Sequence, residues 1–261
     1  MSEPLHYLDV GAGPPLVLVH GDFLDGPTTW AAQIETLTSH HRLIVPDRRG
    51  RGRSPKEPRP YTIAADAADL LATADAAGLD TFHLGGQSYG AIVALEVARR
   101  APGRLLSLHL IEPPYLALLD DPAERERMLV AVEIFARARE RGTERTVTDF
   151  VTMLAGPEAA ARLRTRPVWQ VMLRESASLA DVEPPSSYPA AAVEEVRLDV
   201  PVRVYRGGRS SRALRRIAEL LAERLPGAEL VEVAEAPHDV QRVHGPFNAA
   251  LLAVTLRPSR E

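Results

Sequence analysis

Residues 82–100 set a glycine-flanked serine at a junction that few folds can accommodate. The run Phe82–Gly86 is short and largely apolar, as a strand would be. It passes without a spacer into Gly86-Gln87-Ser88-Tyr89-Gly90, and the helical pattern Ala91–Arg100 leaves from there. A strand that becomes a helix within a few residues strains the residue in the middle. It also crowds the residues two before and two after it, so both must be small, as Gly86 and Gly90 are. The side chain held at this turn is a hydroxyl, and a strand–turn–helix setting of G-x-S-x-G is the arrangement that exposes a serine for reaction.

The rest of the chain supplies the sheet that such a turn needs. Short apolar runs alternate with longer helical patterns, as in a mainly parallel sheet covered by helices. Leu5–Val10 and Leu16–His20 flank Gly11-Ala12-Gly13-Pro14-Pro15 and read as a pair of N-terminal strands. Trp30, Ile34 and Leu37 recur at helical spacing, Arg42–Asp47 is a strand, and Arg48–Pro60 is a Gly/Pro/Arg loop. Thr62–Ala77 reads as a helix that Gly78 ends, and Leu105–Ile111 as a strand ended by Pro113-Pro114. From Tyr115 to about Val196 the pattern is helical only, with helices expected at Ala123–Arg141, Thr146–Leu154 and Glu158–Ser176. The expected organisation is therefore a core of residues 1–114 and 197–261 with a helical cap, residues 115–196, lying over the sheet. Strands return at Val200–Arg206 and Glu229–Val233, with helices at Ser211–Leu225 and Pro246–Leu256.

Composition narrows the classes of partner. At 261 residues one large domain with an insertion is expected, and a net charge of -4 provides no broad positive field for nucleic acid or an anionic membrane. Lys56 is the sole lysine, a bias that carries no functional reading. The absence of cysteine excludes disulfides, thiolate metal sites and a cysteine nucleophile. Met1–Tyr7 lacks the basic flank and apolar run of a secretory leader, and no apolar run approaches the ~20 residues of a membrane helix. A cytoplasmic protein acting on a small molecule, as a monomer or homodimer, is expected. No Gly-rich phosphate loop or metal-ligand spacing stands out, so no cofactor and no metal are expected.

A serine hydroxyl needs a base, and His238 is the best placed, in the loop Ala236-Pro237-His238-Asp239 between the last strand and the last helix. His83 and His109 fall within strands, and His40 and His41 at a helix end; His244 is the one rival. His20-Gly21 closes the second strand. With the serine turn it suggests an oxyanion hole formed by the backbone N–H groups of Asp22 and Tyr89, with Phe23 as the alternative to Asp22. Phe23, Gln87 and Trp169 are the candidate substrate contacts. Phe150, Met153, Trp169 and Met172 either line a pocket or, the better reading, form the insertion's own core. Asp47, Arg48 and Arg49 read as residues that shape their loop.

Together, Leu16–Gly21, the loop Pro46–Ser54, the serine turn, and Ala236-Pro237-His238 followed by Pro246-Phe247 resemble the α/β-hydrolase superfamily, in its branch of esterases and lactonases with a helical cap. The resemblance spans nearly the whole chain and implies the α/β-hydrolase fold, but not a substrate. Two departures stand out. The loop in which the family commonly places its triad aspartate reads Gly207-Gly208-Arg209-Ser210-Ser211, without a carboxylate, and Glu112 at the end of the preceding strand is the alternative. Either Glu112 orients His238, or it serves structure and the site is a Ser–His dyad. The second departure is Asp22, whose carboxylate either enters the pocket as an acid, base or substrate contact, or turns away into the loop. Three functions follow as expectations: a serine hydrolase of small carboxylic esters or lactones; a cyclase, lyase or C–C-cleaving enzyme of specialised metabolism using Asp22 and His238 for proton transfer; or a receptor-like ligand binder with weak turnover.

Overall fold

The computed structural model describes residues 4–57 and 59–256. The first residues of the N-terminal segment read above, Pro58 of the Arg-rich loop, and the end of the chain after residue 256 lie outside the described residues. Seven strands form the sheet: β1 (Tyr7–Val10), β2 (Pro15–Val19), β3 (Arg42–Pro46), β4 (Phe82–Gln87), β5 (Leu105–Ile111), β6 (Val202–Gly207) and β7 (Ala228–Val233). Their order is β1-β3-β2-β4-β5-β6-β7, parallel except for β1. The helices are α1 (Gly26–Thr29), α2 (Ala31–Leu37), α3 (Ile63–Ala76), α4 (Tyr89–Arg100), α5 (Pro122–Ala136), α6 (Ala138–Arg141), α7 (Thr143–Ala155), α8 (Pro157–Arg164), α9 (Val168–Glu175), α10 (Arg212–Arg224) and α11 (His244–Thr255).

The expected pairing of the first two strands is wrong. β1 runs antiparallel to β3, with Tyr7 opposite Pro46 and Val10 opposite Leu43, and β3 separates it from β2. The reason lies in the glycine turn. Gly11 and Gly13 have φ of +84° and +116°, and a Cβ on either would lie 2.3 Å from the His41 carbonyl oxygen or 2.6 Å from that of His40. The turn is pressed against the start of β3 and crosses it instead of folding back as a hairpin.

Helices cover both faces of the sheet. One face packs Ile63, Leu70, Ile92, Leu95 and Ile217 with the inner side chains of the central strands; the other packs Trp30, Leu37, Phe247 and Leu251. Local signals set many boundaries: the Thr62 side chain accepts from Ala65 N–H at the start of α3, and Gly78, at φ +70°, follows its end. Between β5 and β6 the described residues form helices and short 3-10 turns, with one isolated β-bridge, Tyr61 to Val182, to the core. The expected long helices are broken, at Arg137 between α5 and α6 and at Pro167 between α8 and α9. Pro167 was a visible breaker. Among the described residues no helix is long and apolar enough to cross a membrane.

A chain of polar side chains is sealed inside the second face. His83 Nδ1 and His109 Nε2 both meet Ser107 Oγ, at 2.7 and 2.9 Å; His109 Nδ1 meets Tyr205 Oη at 2.9 Å; His41 meets Thr255 Oγ1 at 2.8 Å. These partners satisfy neutral rings. Burial, aided by the neighbouring His41, holds His83 down at about 4, and burial holds His109 down at about 3. An unfolded histidine titrates near 6.5, so below that pH the unfolded chain takes up protons that these two rings refuse. Their contribution is intact above pH 6.5 and is lost as pH falls towards 4, by about 2 kcal/mol for each ring at pH 5. Thermal unfolding should show Tm falling from pH 7 to pH 5, and falling less in His109→Gln; equal slopes would remove the histidines from the account.

Candidate active site

The elbow residue pays for its exposure in backbone geometry. Ser88 has φ +54° and ψ −124°, between β4 and α4, with its N–H bonded to the Ile111 carbonyl at 2.8 Å. A Cβ on Gly86 would sit 2.2 Å from the Gly90 carbonyl oxygen, and one on Gly90 would sit 2.6 Å from those of Val19 and His20. The elbow is thus in backbone contact with the end of β2. A Cβ on Gly21 would come within 3.1 Å of Ser88 Cβ, so the His20-Gly21 turn lies against the serine.

Glu112 is the second strained residue. Among the described residues, only Ser88 and Glu112 are non-glycines with positive φ, and Glu112 stands at +50°. Its carboxylate is fully buried; Oε1 accepts from Gly207 N–H at 2.7 Å, and Oε2 lies 3.2 Å from His238 Nδ1. A carboxylate only accepts, so Nδ1 carries the proton and Nε2 is left for the cavity. Burial pulls the His238 pKa down, but the hydrogen bond and charge of Glu112, with the charge of Asp239, outweigh it, and the net shift is upward. The loop without an acid also has a steric reason. A Cβ on Gly207 would lie 2.3 Å from the Ala236 carbonyl oxygen, and one on Gly208 2.3 Å from that of Ala234. The histidine loop is packed so closely here that no side chain fits at either position, and Gly207 donates to Glu112 instead.

The Asp22 carboxylate is turned into the loop. It pairs with Arg48 at 3.0 Å and lies 3.7 Å from Arg51, both fully buried. Arg48 also donates to the Gly21 carbonyl at 3.1 Å, pairs with Asp66 and stacks 3.9 Å over the Tyr89 ring. His20, fully buried, donates from Nδ1 to Gly21 O at 2.7 Å and accepts at Nε2 from Arg48 N–H at 2.8 Å. Burial and the Arg48 charge hold its pKa well below the usual histidine value, so the ring is neutral. Arg51 continues to the insertion, donating to the Glu175 carbonyl at 3.0 Å, while the Glu175 side chain accepts from Gly52 N–H at 2.8 Å. Asp47 accepts from Gly26 and Arg53 N–H groups, and Arg49 grips Asp69 with two bonds of 2.7 Å, both loop-shaping contacts. Arg48 was read from the sequence as shaping its loop, but its particular partners and the role of Arg51 were not, because only tertiary contact shows what the guanidiniums hold.

A cavity of about 460 Å³ joins these parts. Gly21, Asp22, Phe23, Gln87, Ser88 and His238 line it from the core. Phe150, Met153 and Met172 line it from the insertion, and Phe23 stacks on Phe150 with centroids 4.3 Å apart. Trp169 is not among the lining residues; it is buried with Val147, Val151 and Leu179 in the insertion's own cluster, which corrects its assignment as a substrate contact. His244 is exposed at the start of α11 and does not line the cavity. Tyr89 opens α4, so its N–H has no acceptor within the helix, while its side chain is buried beneath Arg48.

Titrating the imidazole signals by NMR should place the His238 pKa above the usual 6.5 and lower it in Glu112→Gln, which keeps the shape and removes the charge. An unmoved value would mean that Glu112 does not set the protonation of the histidine.

The chain is 41% identical over 112 residues to N-formylmaleamate deformylase of Pseudomonas putida, covering 42% of this chain and 41% of that protein. It is 31% identical over 143 residues to an epoxide hydrolase of Caballeronia sordidicola, covering 54% of this chain and 40% of that one. The matched segments thus span about two fifths of these relatives. A solved thermophilic esterase from Thermogutta terrifontis superposes with a TM-score of 0.74 at 27% identity, covering 96% of this chain and 94% of that chain. The sequence signature of the α/β hydrolase fold matches residues 14–244, and the chain belongs to that family.

Proposed function

We propose that the protein is a cofactor-independent serine hydrolase that cleaves a small carboxylic ester or lactone through an acyl-enzyme at Ser88. What supports this reading is that Ser88 and Glu112 are both held at positive φ, that the His238 ring is bonded to the buried glutamate, and that Ser88 and His238 line one cavity. His238 Nε2 removes the proton as Ser88 Oγ attacks the carbonyl, and Glu112 stabilises the imidazolium that forms. The backbone N–H groups of Tyr89 and Asp22 receive the developing negative charge. The imidazolium gives its proton to the leaving oxygen, and the same base then activates the water that releases the acid. In this reading the insertion is a cap that closes the cavity over the serine.

Engagement of the Asp22 carboxylate by Arg48 and Arg51 speaks against Asp22 as a proton-transfer group, and with it against a lyase or cyclase reaction built on Asp22. The buried guanidiniums also offset the repulsion that a free carboxylate would exert on an oxyanion.

The test is turnover of a panel of 4-nitrophenyl esters and lactones. Ser88→Ala should lose roughly a thousandfold or more in kcat/KM, with fold and Tm retained. Equal turnover in the variant would reject the serine mechanism.

A further inference from the structure

The mouth of the cavity is charged in a way that the serine mechanism does not use. Four arginines line it, Arg162 and Arg166 from the insertion and Arg209 and Arg242 from the core, and the acids among the lining residues are Asp22 and Asp239. Four arginines against two aspartates leave the wall with a formal +2, while the whole chain carries -4. Asp22 is already held by Arg48 and Arg51, and Asp239 by Arg242 at 3.2 Å. The other three rim cations have little to hold. Arg162 lies 3.8 Å from Glu158 and Arg209 3.9 Å from Glu235, both pairs solvent-exposed, and Arg166 has no ion-pair or hydrogen-bond partner for its side chain among the described residues. Arg162 lies in the last turn of α8 and Arg166 in the bend just after it, where its N–H bonds to the Leu163 carbonyl at 3.0 Å, and both residues line the same cavity. Much of the remaining wall is apolar, including Phe150, Met153 and Leu163 from the insertion.

We propose that the substrate is an anionic ester or lactone: an apolar body that fills the space beside Ser88 and a carboxylate, remote from the scissile carbonyl, held by Arg162 and Arg166. This inference rests on the serine-hydrolase reading for the reaction, and adds the chemistry by which the substrate is recognised. Two guanidiniums offer paired donors to one carboxylate, and a positive mouth on a negative protein draws anions to the site it serves. Because the arginines are exposed, the preference must weaken with salt.

Two matched pairs of probes test it. In the first, the 4-nitrophenyl half-ester of adipic acid is compared with 4-nitrophenyl hexanoate; in the second, 6-acetoxyhexanoate is compared with hexyl acetate. Within each pair the terminal methyl group is exchanged for a carboxylate, on the acyl side in the first and on the alcohol side in the second. At low ionic strength the ratio of kcat/KM, charged over neutral, should exceed tenfold in at least one pair, chiefly through KM, and shrink in 0.5 M salt. It should fall tenfold or more in Arg162→Gln/Arg166→Gln but not in Arg137→Gln/Arg224→Gln, which removes the same charge away from the cavity. A neutral preference in both pairs, or equal ratios in the two double variants, overturns the proposal. Should no probe be hydrolysed, the hydrolase reading fails by itself, and calorimetric titration with 6-acetoxyhexanoate decides the anion site. Binding weakened tenfold by the Arg162/Arg166 changes upholds it, and undiminished or undetectable binding overturns it.

Discussion

The structure depends on one steric constraint: the backbone contact between the elbow at Ser88 and the end of β2. Gly90 lies against the carbonyls of Val19 and His20 so closely that no Cβ fits, and Gly21 lies against the Ser88 side chain. That contact places the Ser88 hydroxyl, the first amide of α4 and the His-Gly turn within one small volume. In the proposed mechanism the main-chain donors are fixed by the fold, so little reorganisation remains for the reaction itself. The strain at Ser88 is maintained because the sheet on one side and α4 on the other over-determine the turn.

The second organising element is a set of buried charges. Arg48 links Asp22, Asp66, the Gly21 carbonyl and the Tyr89 ring, and Arg51 extends the set to the insertion at Glu175. Buried ion pairs contribute little net stability compared with a well-packed apolar core, but breaking one strands its partner. Their value here is positional: they tie the loop that follows β2 to the loop that follows β3, engage the Asp22 carboxylate, and attach the insertion at Glu175 to the second of these loops.

Much of this was legible in the sequence, for identifiable reasons. The G-x-S-x-G turn carries its own steric logic, and Glu112 stood as one of two alternatives, from its place at the end of β5 and the lack of a carboxylate in Gly207–Ser211; the 3.2 Å contact with His238 is what the sequence could not supply. The β1–β2 hairpin was misread because two glycines between apolar runs look alike whether they close a hairpin or cross a third strand; only the contact with His40 and His41 separates the cases. Trp169 was misassigned because side-chain direction within a short helix is set by tertiary packing, here with Val147 and Leu179. The arginines at the cavity mouth were hidden in a chain whose basic residues are nearly all arginine.

The central claim is that His238 and Glu112 activate Ser88. Incubating the intact protein with a fluorophosphonate and weighing it by mass spectrometry tests this without knowledge of the substrate. A single adduct that is absent from Ser88→Ala is the predicted result. An unmodified, folded protein with its cavity open to the probe, or an adduct that persists in the variant, would contradict the account.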